Sequence, residues 1–404
     1  MSRAVPLSLT LARACAWGLL VAGWVGLGSF ALQLAPTVSI GFALVALWLL
    51  ALGAAAAVAT RGGMRWWIRA FALCVGAAVT GAGLWYAAHG GGLPPLLLAL
   101  IGWATLTALA SGVVRSLRLA QAVVAGPPIA AASLGALCAG LVLGDIGDLP
   151  ALAVRLIAFV ASIGVVLVLL QRRIDDSLRA PGCRAGLFDC SLPAWPAGAW
   201  RDTVQWPTLL AGLAMLPMMA TLPLAAAWCR ALSIAPQVMV LIHLAAMFVP
   251  ALLLRRSIGR WSLRTLSIVC TALLASGAGL VLWAPAPLDL MGLTVTHGAA
   301  WGLAWGGQLW APARRGQQGT SPLRAGAGYA ALTLGFGAIV QQTGLIGVVA
   351  VHAALGIIAG LAWLLVAATW VWSRSAPVHP NLPAAPPPGA SQRRQLTPAT
   401  KHLS

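Results

Sequence analysis

The sequence predicts an all-α polytopic membrane protein, with twelve transmembrane helices in two six-helix halves. Three observations carry that prediction. Of 404 residues, 60% are hydrophobic and 8% charged, whereas soluble domains carry about 25% charge. The apolar residues fall in runs of ~20, the length that crosses a hydrocarbon core about 30 Å thick at 1.5 Å per residue. The arginines gather in alternate loops, as expected when basic residues stay on the cytoplasmic side.

In chain order, Arg3 and Arg13 precede an apolar run from Cys15 to Leu34. That run is long and has no clear cleavage motif, so it reads as the first span rather than a signal peptide. Apolar stretches bounded by Arg, Pro and Gly then place spans near 14–35, 38–59, 67–88, 94–114, 119–143, 150–171, 206–228, 233–254, 264–284, 288–310, 324–342 and 346–372. Loops after the even-numbered spans are basic, with Arg61, Arg65 and Arg69, then Arg115 and Arg118, Arg172 and Arg173, Arg255, Arg256 and Arg260, and Arg314 and Arg315. The opposite loops are short and nearly free of Arg; Arg230 alone breaks the pattern. Both termini are therefore expected in the cytoplasm.

This arrangement divides the chain into a six-helix bundle over 1–171, a cytoplasmic loop over 172–205, a second bundle over 206–372 and a tail over 373–404. The central loop holds Asp175, Asp176, Asp189 and Asp202, with Trp195, Trp200 and Trp206 suited to the membrane interface. The tail, rich in Pro, Ala and Ser, reads as disordered. A formal charge of +18 encodes topology here, not a nucleic-acid partner. The seven Cys include no CxxC pair and do not read as a disulfide framework.

The two halves echo each other. Arg61-x3-Arg65-Trp66-x2-Arg69 follows the second span and Arg256-x3-Arg260-Trp261-x2-Arg264 follows the eighth. Each leads into a span containing Gly-Ala-Gly-Leu, at 81–84 and 277–280. Such repeats point to a transporter with its site between the halves near the midplane. Over nearly its whole length the chain resembles the major facilitator superfamily. The family's loop signature, roughly Asp-Arg-x-Gly-Arg-Arg, survives as Arg256, Gly259 and Arg260, and as Arg61, Gly63 and Arg65. The resemblance implies gating loops at Arg61, Arg65, Arg256, Gly259 and Arg260. The acidic residue is missing from both copies, where Thr60 and Arg255 stand.

Candidate chemistry concentrates in the hairpin from Trp206 to about Leu254. Five of the eight Met residues lie there: Met215, Met218, Met219, Met239 and Met247. Met215 and Met219 share one helix face, as do His243 and Met247, because residues four apart project together. Counting from the turn near Cys229–Ser233, Met219 and His243 are expected at similar depth, roughly 15 Å in, with Met215 and Met247 one turn deeper. The chain contains no Glu, and no Asp falls in the middle of a span, so a buried carboxylate relay is not expected. Nothing in the sequence supports an enzyme. What remains is soft and neutral, and thioether with imidazole is a donor set suited to copper. A neutral cage leaves a monovalent ion its charge, so a potential negative inside would draw it inward by ~2.3 kcal/mol per 100 mV. Only His243 would couple binding to pH. Pro217 and Pro223 would loosen the seventh span. Against this stands ordinary packing, since Met is a frequent space-filler in cores.

Met215-x3-Met219 and His243-x3-Met247, on the seventh and eighth spans, resemble the paired motifs of the CcoA-type copper importers within that superfamily. The resemblance implies that Met215, Met219, His243 and Met247 ligate copper as cargo, not as a resident cofactor. It implies import for haem–copper oxidase assembly, with a cytoplasmic copper acceptor as partner beside the lipid bilayer. Related members without these motifs are thought to carry riboflavin. Met239, one turn from His243, His297 on the tenth span and Cys229 at the outer mouth are auxiliary candidates. Cys183 and Cys190 read as thiols that receive the ion or as structural residues, and His352 reads as structural. Arg155 is expected to snorkel or to pair with Asp148. Gln341 and Gln342 would bind a polar solute or cap the eleventh span. Two further readings stay open: an organic-solute transporter, with Trp103, Trp301 and Trp305 lining its cavity, and a non-transporting assembly scaffold.

Overall fold

The computed structural model describes residues 7–59, 66–120, 129–144, 146, 148–171, 219, 235–258, 261, 263–285, 288–310, 323 and 326–342. The expected spans at 206–228 (Met219 excepted) and 346–372 lie outside these residues, as do the central loop and the tail. The described part is helical: α1 Leu7–Leu34, α2 Val38–Ala59, α3 Trp66–Tyr86, α4 Leu93–Ala120, α5 Ile129–Leu143, α6 Leu149–Gln171, α7 Pro236–Leu253, α8 Leu263–Trp283, α9 Leu288–Trp310 and α10 over 326–342. Six of these helices are long and apolar enough to cross a membrane. The chain is a multi-pass membrane protein.

Helix α1 differs from the expected first span. It begins seven residues earlier than 14, and every residue from Ala12 to Leu32 is buried, Arg13 included. A helix apolar and buried on all sides belongs at the centre of a bundle. It packs against α4, α5 and α6. A π turn at Gly23–Leu27 interrupts it, the single-turn form in which π geometry usually occurs inside α-helices. Here a Cβ on Gly23 would lie 2.6 Å from Trp103 Nε1 and 2.8 Å from Trp48 Cζ2. Outer helices behave differently: Leu98, Leu141, Val165 and Trp283 are exposed, as suits side chains that face lipid.

Helix ends follow local chemistry. Asp148 caps α6, its Oδ1 accepting the Ala151 N–H at 3.0 Å. Pro236 stands at the first turn of α7, where the missing N–H costs nothing. Gly90 (φ 95°) and Gly92 (φ 68°) end α3 and turn the chain into α4, in a backbone region that other residues avoid. Each Gly-Ala-Gly-Leu element admits the next helix at a glycine, the third residue in the first copy and the first residue in the second. A Cβ on Gly83 would lie 2.6 Å from the Pro95 carbonyl of α4, and one on Gly277 would meet Thr296 of α9.

The two expected halves touch through α5 with α7 and through α2 with α10. A Cβ on Gly140 would lie 2.8 Å from Leu244 and 2.9 Å from Leu241. Phe42 meets Phe336 edge-on at 5.4 Å. At the Arg-poor end, Gln341 Oε1 accepts from the Ser39 amide (3.2 Å) and hydroxyl (3.1 Å), and Gln237 Nε2 donates to the Leu141 carbonyl at 3.4 Å. Gln341 thus ties α10 to α2.

Candidate functional site

Helix α7 buries one face, formed by Met239, Val240, His243, Leu244, Met247, Phe248 and Ala251. The spacing of four that set His243 and Met247 together in the sequence therefore points both into protein. Helix α9 receives them, running parallel to α7. A Cβ on Gly298 would lie 3.0 Å from the His243 carbonyl, one on Gly302 would meet the Met247 carbonyl, and one on Gly306 would lie 3.3 Å from Ala251 Cβ. Glycines four apart on one helix thus face residues four apart on the other. Small residues in this spacing let helix backbones approach closely in lipid. The Gly298-x3-Gly302-x3-Gly306 pattern is visible in the sequence and was the signal available for this seam.

His243 is almost wholly enclosed, with 1% of its surface exposed. Its Nδ1 lies 2.9 Å from the Thr294 carbonyl oxygen. A carbonyl only accepts, so Nδ1 carries the proton and donates. In the neutral ring the lone pair then resides on Nε2, the arrangement found in metal-ligating histidines. Thr294 itself is held, its hydroxyl donating to the Leu290 carbonyl at 2.6 Å. Because α7 begins at Pro236 and not near 233, His243 lies ~10 Å along the helix, close to its middle, with Met247 one turn further on.

The other sequence candidates distribute as follows. Met247 is buried, and Met219 is buried within the same continuous core. Met239 is fully enclosed in a separate apolar cluster with Leu290 and Leu293, which fits packing better than ligation. His297 is buried on α9, three residues from Thr294. Met215, Cys229, Cys183, Cys190 and His352 lie outside the described residues, as do Arg61, Arg65, Gly259 and Arg260. Arg256 sits in a short helical turn, Arg255–Ile258. Among the described residues, no three His, Cys, Asp or Glu side chains gather. Cys15, Cys74, Cys138 and Cys270 are free thiols.

Next to Met247 lies an aromatic cluster that spans both halves. Trp301 stacks on Trp305 at 5.5 Å and 9°, Phe248 meets each edge-on at 6.0 Å, and Trp17 of α1 meets Trp305 at 5.1 Å. The buried Trp17 indole N–H has no hydrogen-bond partner among the described residues. Trp103 takes a different part from the one expected. It is fully buried, and its indole donates to the Leu19 carbonyl at 2.8 Å, joining α4 to α1.

In sequence, no family model and no curated protein matches the chain. In structure it is similar to the nucleoside transporter NupG, with 15% identity, TM-score 0.60, and coverage of 89% of this chain and 98% of that one. It is also similar to the major facilitator superfamily proton:xylose symporter XylE (15% identity, TM-score 0.55, 91% and 95% covered) and to the E. coli fucose:proton symporter FucP (14%, 0.52, 90% and 97%). The chain is all-α and has the major facilitator fold.

Proposed function

We propose that this chain is an inner-membrane transporter, not an enzyme, that moves copper into the cytoplasm by alternating access and supplies haem–copper oxidase assembly. The observation that carries this reading is the state of His243. The ring is buried in a span, its proton is held on Nδ1 by Thr294, and a buried thioether, Met247, lies one turn along the same face. A soft ion suits such a site because imidazole and thioether bind it without adding negative charge. Met215 and Met219 complete the ligand set in this reading, which rests on their motif. Basic loops at Arg61, Arg65, Arg256 and Arg260 serve the gating, both termini lie in the cytoplasm, and a cytoplasmic acceptor takes the ion.

The test is uptake of radioactive copper by cells lacking their own importer, expressing the parent or a Met215→Ala/His243→Ala variant at matched membrane levels. Uptake by the parent and background accumulation by the variant supports copper import through this hairpin. Equal uptake by both reduces the Met and His residues to packing.

A second reading, transport of an organic solute such as a flavin, has its own support. The fold is shared with proteins named as nucleoside, xylose and fucose transporters. The stacked Trp301–Trp305 pair and the Trp17 N–H beside it, which has no hydrogen-bond partner among the described residues, suit a planar solute with acceptor atoms. Quenching of tryptophan fluorescence by riboflavin, saturable in the parent and lost in Trp305→Leu, would favour it. A stable partner on pull-down, without flux of either solute, would instead favour an assembly scaffold.

A further inference from the structure

We propose that Gly298 is a positioning residue for His243, and that its missing side chain decides which imidazole nitrogen faces a ligand. In an α-helix the carbonyl of residue 294 accepts from the N–H of residue 298. A carbonyl has two lone pairs, and the second accepts His243 Nδ1 at 2.9 Å. The side chain of residue 298 would stand beside that second approach. A Cβ there would lie 3.3 Å from His243 Nδ1, 3.0 Å from the His243 carbonyl and 3.1 Å from Ala246 Cβ. Each contact is tighter than carbon usually makes, so α7 or the ring has to yield by a few tenths of an ångström. The ring yields most cheaply, by rotating about its own side-chain torsions, and its displacement lengthens the Nδ1–carbonyl bond. Once it lengthens, the preference for the proton on Nδ1 weakens, and Nε2 is no longer held as the accepting atom.

Gly306 supplies the matched comparison. Its Cβ would lie 3.3 Å from Ala251 Cβ on the same seam, with Ile258 at 3.7 Å, and no histidine among its close neighbours. Gly298→Ala and Gly306→Ala thus press on the same helix pair, but only the first presses on an imidazole.

The metal arm of this inference rests on the copper reading; the proton arm does not. The experiment uses the full chain in nanodiscs, as parent, Gly298→Ala and Gly306→Ala. Cu(I) affinity is measured by competition with a chromophoric Cu(I) chelator, and the ring nitrogens of His243 are read by 15N NMR of histidine-labelled protein. Outer contacts to metal-bound histidines typically govern affinity 10- to 100-fold. The expected result is a loss of about that size in Gly298→Ala alone, with the His243 nitrogen shifts moving toward the other tautomer. Equal losses in both variants would overturn the proposal in favour of general seam packing. Unchanged nitrogen shifts in Gly298→Ala would overturn it outright. If the parent binds no Cu(I), the copper reading fails, and the nitrogen shifts still decide the positioning role.

Discussion

His243 of α7 and Thr294 of α9 are joined by an imidazole-to-carbonyl hydrogen bond of 2.9 Å inside the bundle. The bond links parallel helices packed along a seam of three glycines, and it fixes the protonation pattern of a buried ring. Packing and chemistry therefore meet in one contact.

Removing that bond has a stability signature separate from transport. Interhelical hydrogen bonds in membranes average ~0.6 kcal/mol and reach ~1.7. His243→Ala should destabilise the purified protein by about 1–2 kcal/mol, with the lost packing included. Unfolding in SDS-containing micelles would measure it. A stability equal to the parent's would mean that the ring contributes nothing to holding α7 on α9.

The glycine seam should tolerate change unevenly. Alanine at Gly302 drives its Cβ into the Met247 backbone carbonyl, where no rotamer offers relief. Gly335 has nothing within 4 Å of an added Cβ. Gly302→Ala should therefore cost at least about 2 kcal/mol, on the scale of overpacked cores. Gly335→Ala should stay within about 1 kcal/mol of the parent and tend to stabilise. Thermal denaturation of both variants in one detergent would separate them.

Gln341 accepts from both the backbone and the hydroxyl of Ser39, a link between the halves at the Arg-poor end. The link is exposed, so its worth is about 0.5–1 kcal/mol. Gln341→Ala should open that mouth two- to fivefold more often. A single cysteine introduced at Leu244, which lies against Gly140, would be labelled correspondingly faster by a membrane-impermeant maleimide. Unchanged labelling would assign closure to the apolar contacts of α5 with α7.

Topology has a direct check. Phosphatase fused after Gly92 or Ala284 should be active outside the cytoplasm, and fusions after Arg118 or Arg173 should not. The reverse pattern would invert the membrane orientation.

Several features were legible in the residues because they depend on short-range or additive physics. Apolar runs report spans; α6, α8 and α9 lie within one residue of the expected bounds. A spacing of four placed His243 and Met247 on one buried face of α7. Arg13 was misjudged for a related reason. A charge normally marks a span's edge, but α1 is enclosed by other helices along its length, so burial there reflects neighbours and not lipid.

The sequence by itself determined a helical membrane protein, the order of most of its spans and the periodicity that gathers soft side chains on α7. Tertiary structure alone decided that α7 meets α9 in parallel, that Thr294 holds the proton of His243, and that Met239 packs with Leu290 and Leu293. It also placed Trp103 and Gln341 in hydrogen bonds that tie one helix to another. The physical reason is range. Periodicity acts over one or two turns of a single helix. The partner of a buried polar atom is chosen by which helix lies about 3 Å away, and here that helix begins some fifty residues later in the chain.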